Sequence, residues 1–531
     1  MITNSVFVSG LVVMVVVYVS LFLLAVIAPR FRKGHAGAGL DATDLLLAGR
    51  GIPLWMAIFT MTATWVGGGY LAGTAEMVYS QGQGWAQAGW GYALSLILGG
   101  LIYAKKMREL NYTTMLDPLM QRFGLPTTSF LYLFALLGEI LWTGAIMTAL
   151  GAAFSTILGI NMAAGIIITA SITLAYTAIS GLWAVAYTDV VQLIMITVFL
   201  SLGIIVAVPV VGGWTNMWAN YNANFGSLGS GFIIGYFPPL NAFRDPNWGA
   251  WTFTWFDYGL LYICGGIPWH CYFQRVLASR NGNVARWMSV GAGVGAFLMV
   301  LPPTLIGVIG YNFDWAGVGA VAPENPAMIL PYVLRYAMPP LIGALGLGAV
   351  AAAVMSSVDS SVLSASAMFT WNVARPLRKR EMTDAQLKRT LRSSIIVIGV
   401  AATLIALRVK SVYALWTLNC DLIYVTLFPA LTAALFYKYT NRVGVLAGVF
   451  VALPLRLIGG APELSINPLF SYWIYDVAAD TGFITVQFPF RTTAMLAGLL
   501  TILAVSFLTK GFDPPRALKK MELASAPDPT S

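Results

Sequence analysis

The stretches Thr62-Ala-Thr-Trp-Val-Gly-Gly-Gly-Tyr70 and Cys264-Gly-Gly-Ile-Pro-Trp269 decide how this chain folds. Both interrupt segments that are otherwise hydrophobic. A glycine triplet, or Gly-Gly followed by Pro, makes a poor continuous helix, since glycine costs about 1 kcal/mol and proline about 3 kcal/mol against alanine in a helix interior. Within a bilayer such a break is tolerated only where the freed backbone is buried in protein or lines a cavity. The two breaks fall in corresponding halves of the chain. A matched pair of interrupted membrane helices points to a transporter's substrate site. Each break borders an indole, Trp65 before the first and Trp269 after the second. An indole face attracts a cation through its quadrupole.

Composition sets the class. Of 531 residues, 58% are hydrophobic and only 10% charged, with a mean hydropathy of +0.77. Soluble domains carry about 25% charged residues, so this is an integral membrane protein. Apolar runs recur from Val6 to Leu508, and the pattern predicts about thirteen spans. Phe7 to Ile27 is too long for a signal-peptide core and is followed by Arg30, Arg32 and Lys33, so it reads as the first span. The net charge is +9. The basic residues cluster at Arg30–Arg50, Lys105–Arg122, Arg275–Arg286, Arg375–Arg392, Lys438–Arg442 and Lys510–Lys520. These fall in alternate loops, as one-sided retention of Lys and Arg requires, and nucleic acid is excluded as the partner. The topology that follows has an external N-terminus and a cytoplasmic C-terminus. Cys264, Cys271 and Cys420 lie in apolar segments without a pairing pattern and read as free thiols. Two histidines, His35 and His270, cannot form a metal site alone.

The spans group into blocks. A first span near 6–28, within 1–50, precedes a block at 51–211 that opens with a broken helix at 55–79. A second block at 251–437 opens with a broken helix at 255–275. An odd number of spans per block inverts the second relative to the first, the layout of a 5+5 inverted repeat. Two further spans near 443–459 and 491–509 lie within 438–510, and 511–531 reads as a short, disordered cytoplasmic tail. The external loop 212–250 carries Trp214, Trp218, Tyr221, Tyr236 and Trp248, with Trp251 beside it, and these read as interfacial anchors. The basic stretch 375–392, with Glu381 and Asp384, reads as a cytoplasmic connector.

Within the spans, the candidate ligand aromatics are Trp65, Tyr92, Trp142, Trp269 and Trp416. Packing is the ordinary role of a single mid-span tryptophan, but Trp65 and Trp269 border unwound backbone. A cage of such rings holds a quaternary ammonium at about 0.5–2 kcal/mol per contact, with no hydrogen bond to the cation. A second constellation runs from Ala353 to Ser361. Ser356, Ser357, Ser360 and Ser361 form a polar stripe on one helix. Hydroxyls and unwound carbonyls are hard oxygen ligands suited to Na⁺; close helix packing is the alternative use of small residues. Asp359 favours the functional reading, because an intramembrane carboxylate is costly and marks an ion or substrate path. Glu76, Glu139, Asp189 and Asp421 also lie in or near spans, where structural and functional roles are both open.

These stretches, together with SLILGG (95–100), TMLDP (114–118), GLWAVAYTDVVQL (181–193), YFQRVL (272–277), AAVMSSVDSSVLSAS (352–366) and LRLIGG (455–460), resemble the high-affinity choline branch of the sodium/solute symporter family. The resemblance implies an all-α fold of the leucine-transporter type, Na⁺-driven uptake of choline across the plasma membrane by alternating access, and chloride dependence. It places the choline cage at Trp65, Tyr92, Trp142, Trp269 and Trp416. It places Na⁺ on backbone oxygens of Ala63, Val66 and Ala353 with the hydroxyls of Ser356 and Ser357, and ties Asp359 and Ser360 to a second cation. No residues are assigned to chloride, and no cofactor is implied. Animal members carry a long cytoplasmic tail that 511–531 does not match, and the sequon at Asn111 falls in a cytoplasmic loop. A symporter for betaine, proline or a sugar is the nearest alternative. An enzyme would need a nucleophile–base pair or a metal cluster, and a sensor a signalling domain; neither is present in the sequence.

Overall fold

The computed structural model describes residues 6–27, 47–177, 182–229, 231, 233–378 and 382–521. Arg30, Arg32, Lys33, His35, Lys379, Arg380, Glu381 and the tail from 522 lie outside the described residues. The described residues are mostly helical. Helix α1 (Val8–Ile27) is followed by the first broken helix, α2 (Leu54–Trp65) and α3 (Gly68–Gln81). Next come α4 (Ala88–Leu98), α5 (Asp117–Leu158), α6 (Met162–Thr177) and α7 (Leu182–Val210). Helix α8 (Gly213–Phe225) precedes the second broken helix, α9 (Trp251–Gly265) and α10 (His270–Ala278). Helices α11 (Gly282–Leu298), α12 (Leu301–Asn312), α13 (Ile329–Tyr336) and α14 (Pro340–Met368) follow. The chain continues with α15 (Asp384–Arg408), α16 (Val412–Phe436), α17 (Arg442–Leu457) and α18 (Phe490–Leu508). A small antiparallel hairpin pairs β1 (Tyr475–Val477) with β2 (Ile484–Val486). Seven helical segments among the described residues are each long and apolar enough to cross a bilayer. The chain is a multi-pass membrane protein.

Of the helices long and apolar enough to cross a bilayer, α14 is the most enclosed by protein. Its residues from Gly346 to Met368 are all buried, and it packs against α1, α5 and α7. Small residues dominate it, which lets neighbouring backbones approach. Helices α2, α3 and α10 also contact it, and the first break is pressed against its polar stripe.

Four expectations are corrected. The segment 212–250 is not a plain loop: it holds helix α8, and Trp218, Tyr221, Tyr236 and Trp248 are buried, Trp248 stacking on Trp85 at 5.6 Å. Packing within the protein, not the lipid interface, takes up these rings; Trp214 alone of the five stays exposed. The connector does not extend to 392, because α15 begins at Asp384 behind a Thr383 capping box and runs on as a bilayer-crossing helix. The tail is docked over 511–521: Arg122 donates to the carbonyl of Arg516 at 2.6 Å, and the amide of Met521 donates to that of Leu110 at 2.9 Å. Arg275 is not a loop residue but is fully buried on α10.

Candidate functional site

The first break is short. Helix α2 ends at Trp65, Val66 leaves helical geometry (φ −83°, ψ 56°), and Gly67 is extended (φ −94°, ψ −169°) before α3 starts. Any residue adopts those angles, so conformational freedom is not what requires glycine at 67. Space is the reason: a Cβ there would lie 1.5 Å from Ser357 Oγ, and one on Gly68 would lie 2.1 Å from Val354 Cγ2. The break is pressed against α14. The last carbonyls of a helix have no partner within it, and at this end Ser357 Oγ lies 3.3 Å from the Thr64 carbonyl, to which it donates in a bond shared with the carbonyl of Ala353 one turn back on its own helix, also at 3.3 Å.

The second break runs from Gly266 to Trp269. A Cβ on Gly265 would lie 2.8 Å from the Cys420 carbonyl, and one on Gly266 would lie 2.6 Å from Ser95 Oγ. The glycines therefore seat this break between α4 and α16. Pro268 supplies no amide donor. The Trp269 indole N–H donates to the freed carbonyl of Gly265 at 2.8 Å, which fixes the ring.

The five aromatics named from sequence line one small cavity of about 10 Å³. They form an arc of touching rings. Trp269 meets Trp142 at 5.4 Å, Trp142 meets Trp65 at 5.9 Å, Trp65 meets Tyr92 at 5.9 Å, and Tyr92 stacks on Trp416 at 5.1 Å. Each ring comes from a different helix or break, and all are at most 7% exposed. Neighbouring rings are in contact, so seating a bulky cation requires them to part. Sequence reasoning missed Tyr262, 5.7 Å from Tyr92, and Tyr272, 6.4 Å from Trp65, which back the arc. It also missed Asn419, whose Oδ1 accepts from the Tyr92 hydroxyl at 3.4 Å. Nothing in the sequence separates these from ordinary packing residues.

The serine stripe divides among several partners. Ser356 donates to Asp189 Oδ1 at 2.5 Å, and Thr60 donates to the other oxygen of that carboxylate. Ser357 faces the first break. Ser360 accepts from Arg275 at 2.6 Å and donates to the Ser356 carbonyl at 2.9 Å. Ser361 and Ser364 each donate to Glu139 at 2.7 Å. Asp359 accepts from Thr177 on α6. Arg275 lies 3.9 Å from Asp189, so a buried ion pair sits beside the serines. An unpaired charge here would be strongly destabilising. Ala63 closes helix α2 and Val66 lies in the first break, Ala353 is one turn before Ser357, and of the two serines Ser357 faces the break while Ser356 is directed to Asp189. Asp359 and Ser360 project to different neighbours.

The Sodium:solute symporter family matches residues 45–452 of the chain. High-affinity choline transporter 1 of Caenorhabditis elegans is 43% identical over 94% of this chain and 84% of that protein. Its Homo sapiens counterpart is 42% identical over 95% and 85%, respectively. Among solved structures, a substrate-bound, outward-open Na⁺-coupled sialic acid symporter superposes with a TM-score of 0.72 at 18% identity, covering 97% of this chain and 99% of that one. A nucleobase-cation-symport-1 family transporter in a closed conformation gives 0.56 at 13% identity, covering 90% and 97%. These likenesses establish the fold, that of the leucine-transporter type. The chain belongs to the sodium:solute symporter family.

Proposed function

We propose that the protein is a Na⁺-coupled importer of choline that works by alternating access. The observation that carries this reading is the cavity lined by Trp65, Tyr92, Trp142, Trp269 and Trp416, two of whose walls are the breaks themselves. Ring faces attract the trimethylammonium group without hydrogen bonds. The first break touches both the cavity, through Trp65, and Ser357 of α14, so an ion held by carbonyls of Ala63, Val66 and Ala353 with Ser356 and Ser357 would stiffen the backbone that positions a cage wall. That is a direct route for coupling. The 41–43% identical proteins named as choline transporters support the same substrate.

The lining also bears on the alternatives. It is wholly aromatic, with no cationic side chain. Betaine and proline carry a carboxylate that would want one, and Arg275 is committed to Asp189 and Ser360. A sugar would want several hydrogen-bonding side chains. Choline needs only the ring faces and a place for one hydroxyl.

The reading extends to a second cation at Asp359 and Ser360, chloride dependence, thirteen crossings with inverted repeats at 51–211 and 251–437, and residence in the plasma membrane with the N-terminus outside. The test is radiolabelled choline uptake into proteoliposomes under an inward Na⁺ gradient, with unlabelled betaine and proline as competitors and gluconate replacing chloride. Uptake that is Na⁺-driven and blocked by choline alone is expected. Uptake indifferent to Na⁺ overturns the coupling, and stronger competition by betaine overturns the substrate.

A further inference from the structure

A second, larger space lies away from the cage. It is an open groove of about 530 Å³ between α5, the end of α14 and α15, lined by Tyr132, Leu136, Phe369, Arg378 and one face of α15. That face reads Gln386, Arg389, Thr390, Ser393, Ser394, Val397, Ile398. The spacing is that of a single helical stripe, and at 1.5 Å per residue it descends about 18 Å. Its chemistry changes in order along that descent. Gln386 and Arg389 come first, the hydroxyls of Thr390, Ser393 and Ser394 follow, and Val397 and Ile398 end the stripe, with Arg378 on the segment after α14 also in the lining. Among the described residues neither arginine has a carboxylate partner, whereas adjacent Lys388 is paired with Asp384 at 2.5 Å. The outward side of the same helix exposes Ile396, Val397, Val400 and Leu404, so the lower groove opens on the hydrocarbon of the bilayer. The groove wall begins at Phe369, where α14 passes into a π-helical turn, Phe369–Ala374, a device that recurs at functional sites.

We propose that this groove binds an anionic phospholipid of the surrounding leaflet. The sequence of charge, hydroxyl and hydrocarbon along the stripe matches phosphate, glycerol ester and acyl chain in a lipid standing in its own monolayer. A free phosphate would use only the arginine end, and a zwitterionic lipid would gain less from two guanidinium groups that have no carboxylate partner among the described residues and that recognise phosphate through forked donors.

The test is reconstitution of the full chain in phosphatidylcholine vesicles with trace spin-labelled phosphatidylglycerol or spin-labelled phosphatidylcholine, reading the motionally restricted fraction. Wild type should hold phosphatidylglycerol preferentially. Arg378→Gln and Arg389→Gln should each weaken that preference about fivefold, equivalent to about 1 kcal/mol for a basic residue near anionic lipid. Val397→Trp should fill the groove and remove the restricted fraction with both arginines in place. Choline binding should survive all three changes, which verifies the fold independently of lipid. No preference in wild type, or a preference that persists in the Arg378→Gln, Arg389→Gln double variant, overturns the proposal. A full restricted fraction in Val397→Trp overturns it as well, leaving diffuse surface charge as the cause.

Discussion

The two breaks look alike in sequence, glycines beside a tryptophan, yet they use their freed backbone in opposite ways. At the second break the Gly265 carbonyl accepts from the Trp269 indole, so the unwound turn is spent on orienting a ring. At the first, the freed Thr64 carbonyl accepts from the Ser357 hydroxyl of α14, and the Trp65 Nε1 has no partner among the described residues. One break is built to hold a side chain and the other to present oxygens. The difference lies in the neighbour: α14 brings Ser357 to the first break, whereas α4 brings the Ser95 hydroxyl and α16 the carbonyl and thiol of Cys420 to the second. A transporter that couples an ion to an organic cation needs both kinds of surface, and here one sequence device supplies each.

The contrast breaks most sharply at Gly67. Gly67→Ala drives a Cβ into Ser357 and should abolish Na⁺-driven uptake, with an overpacking cost of about 1–3 kcal/mol or more. Gly69→Ala, whose nearest neighbour atom is 3.9 Å away, should transport normally; equal damage from both would mean that the triplet matters only for flexibility. Asp359→Asn comes next. It sits on the helix that serves the first break, so Na⁺-driven transport should slow severely while choline binding at saturating Na⁺ persists. A wild-type rate in this variant removes Asp359 from the ion path.

Loss of a cage wall should be smaller. Trp65→Ala or Trp269→Ala should weaken choline binding about tenfold or more, the equivalent of about 1–2 kcal/mol. Equilibrium binding of labelled choline to purified protein reads it, and wild-type affinity in both variants sinks the cage. Ser357→Ala should raise the Na⁺ concentration for half-maximal uptake several-fold and leave choline affinity at saturating Na⁺ in place; an unchanged Na⁺ curve would make the first break a packing feature only. The finest discrimination is between two phenylalanines. Trp269→Phe leaves the buried Gly265 carbonyl without its donor, costing about 1–2 kcal/mol in thermal stability. Trp65→Phe breaks no hydrogen bond and should cost less. Equal melting shifts would erase the distinction between the breaks.

Much of this was legible in the chain itself. Both interruptions came from local backbone chemistry, since glycine and proline act on the helix they occupy whatever packs nearby. The five aromatics could be named because each is a polar-edged ring inside an apolar span, although their contact with one another could not be read. The stripe from Ser356 to Ser361 was visible as a helical pattern, but not its division among Asp189, the first break, Arg275 and Glu139. The burial of Arg275 was hidden by its position beside a basic loop. Only the tertiary structure pairs it with Asp189 and Ser360, residues 86 and 85 positions away in the chain.

The sequence by itself determined where helices cannot continue, which segments are apolar enough to stay in the bilayer, and which residue types are too costly there to be incidental. The tertiary structure decided what faces each break, because a freed carbonyl or a buried charge takes its role from whichever element approaches it. That approach depends on the small residues of α14 and on packing between segments far apart in the chain, for which no local propensity carries a signal.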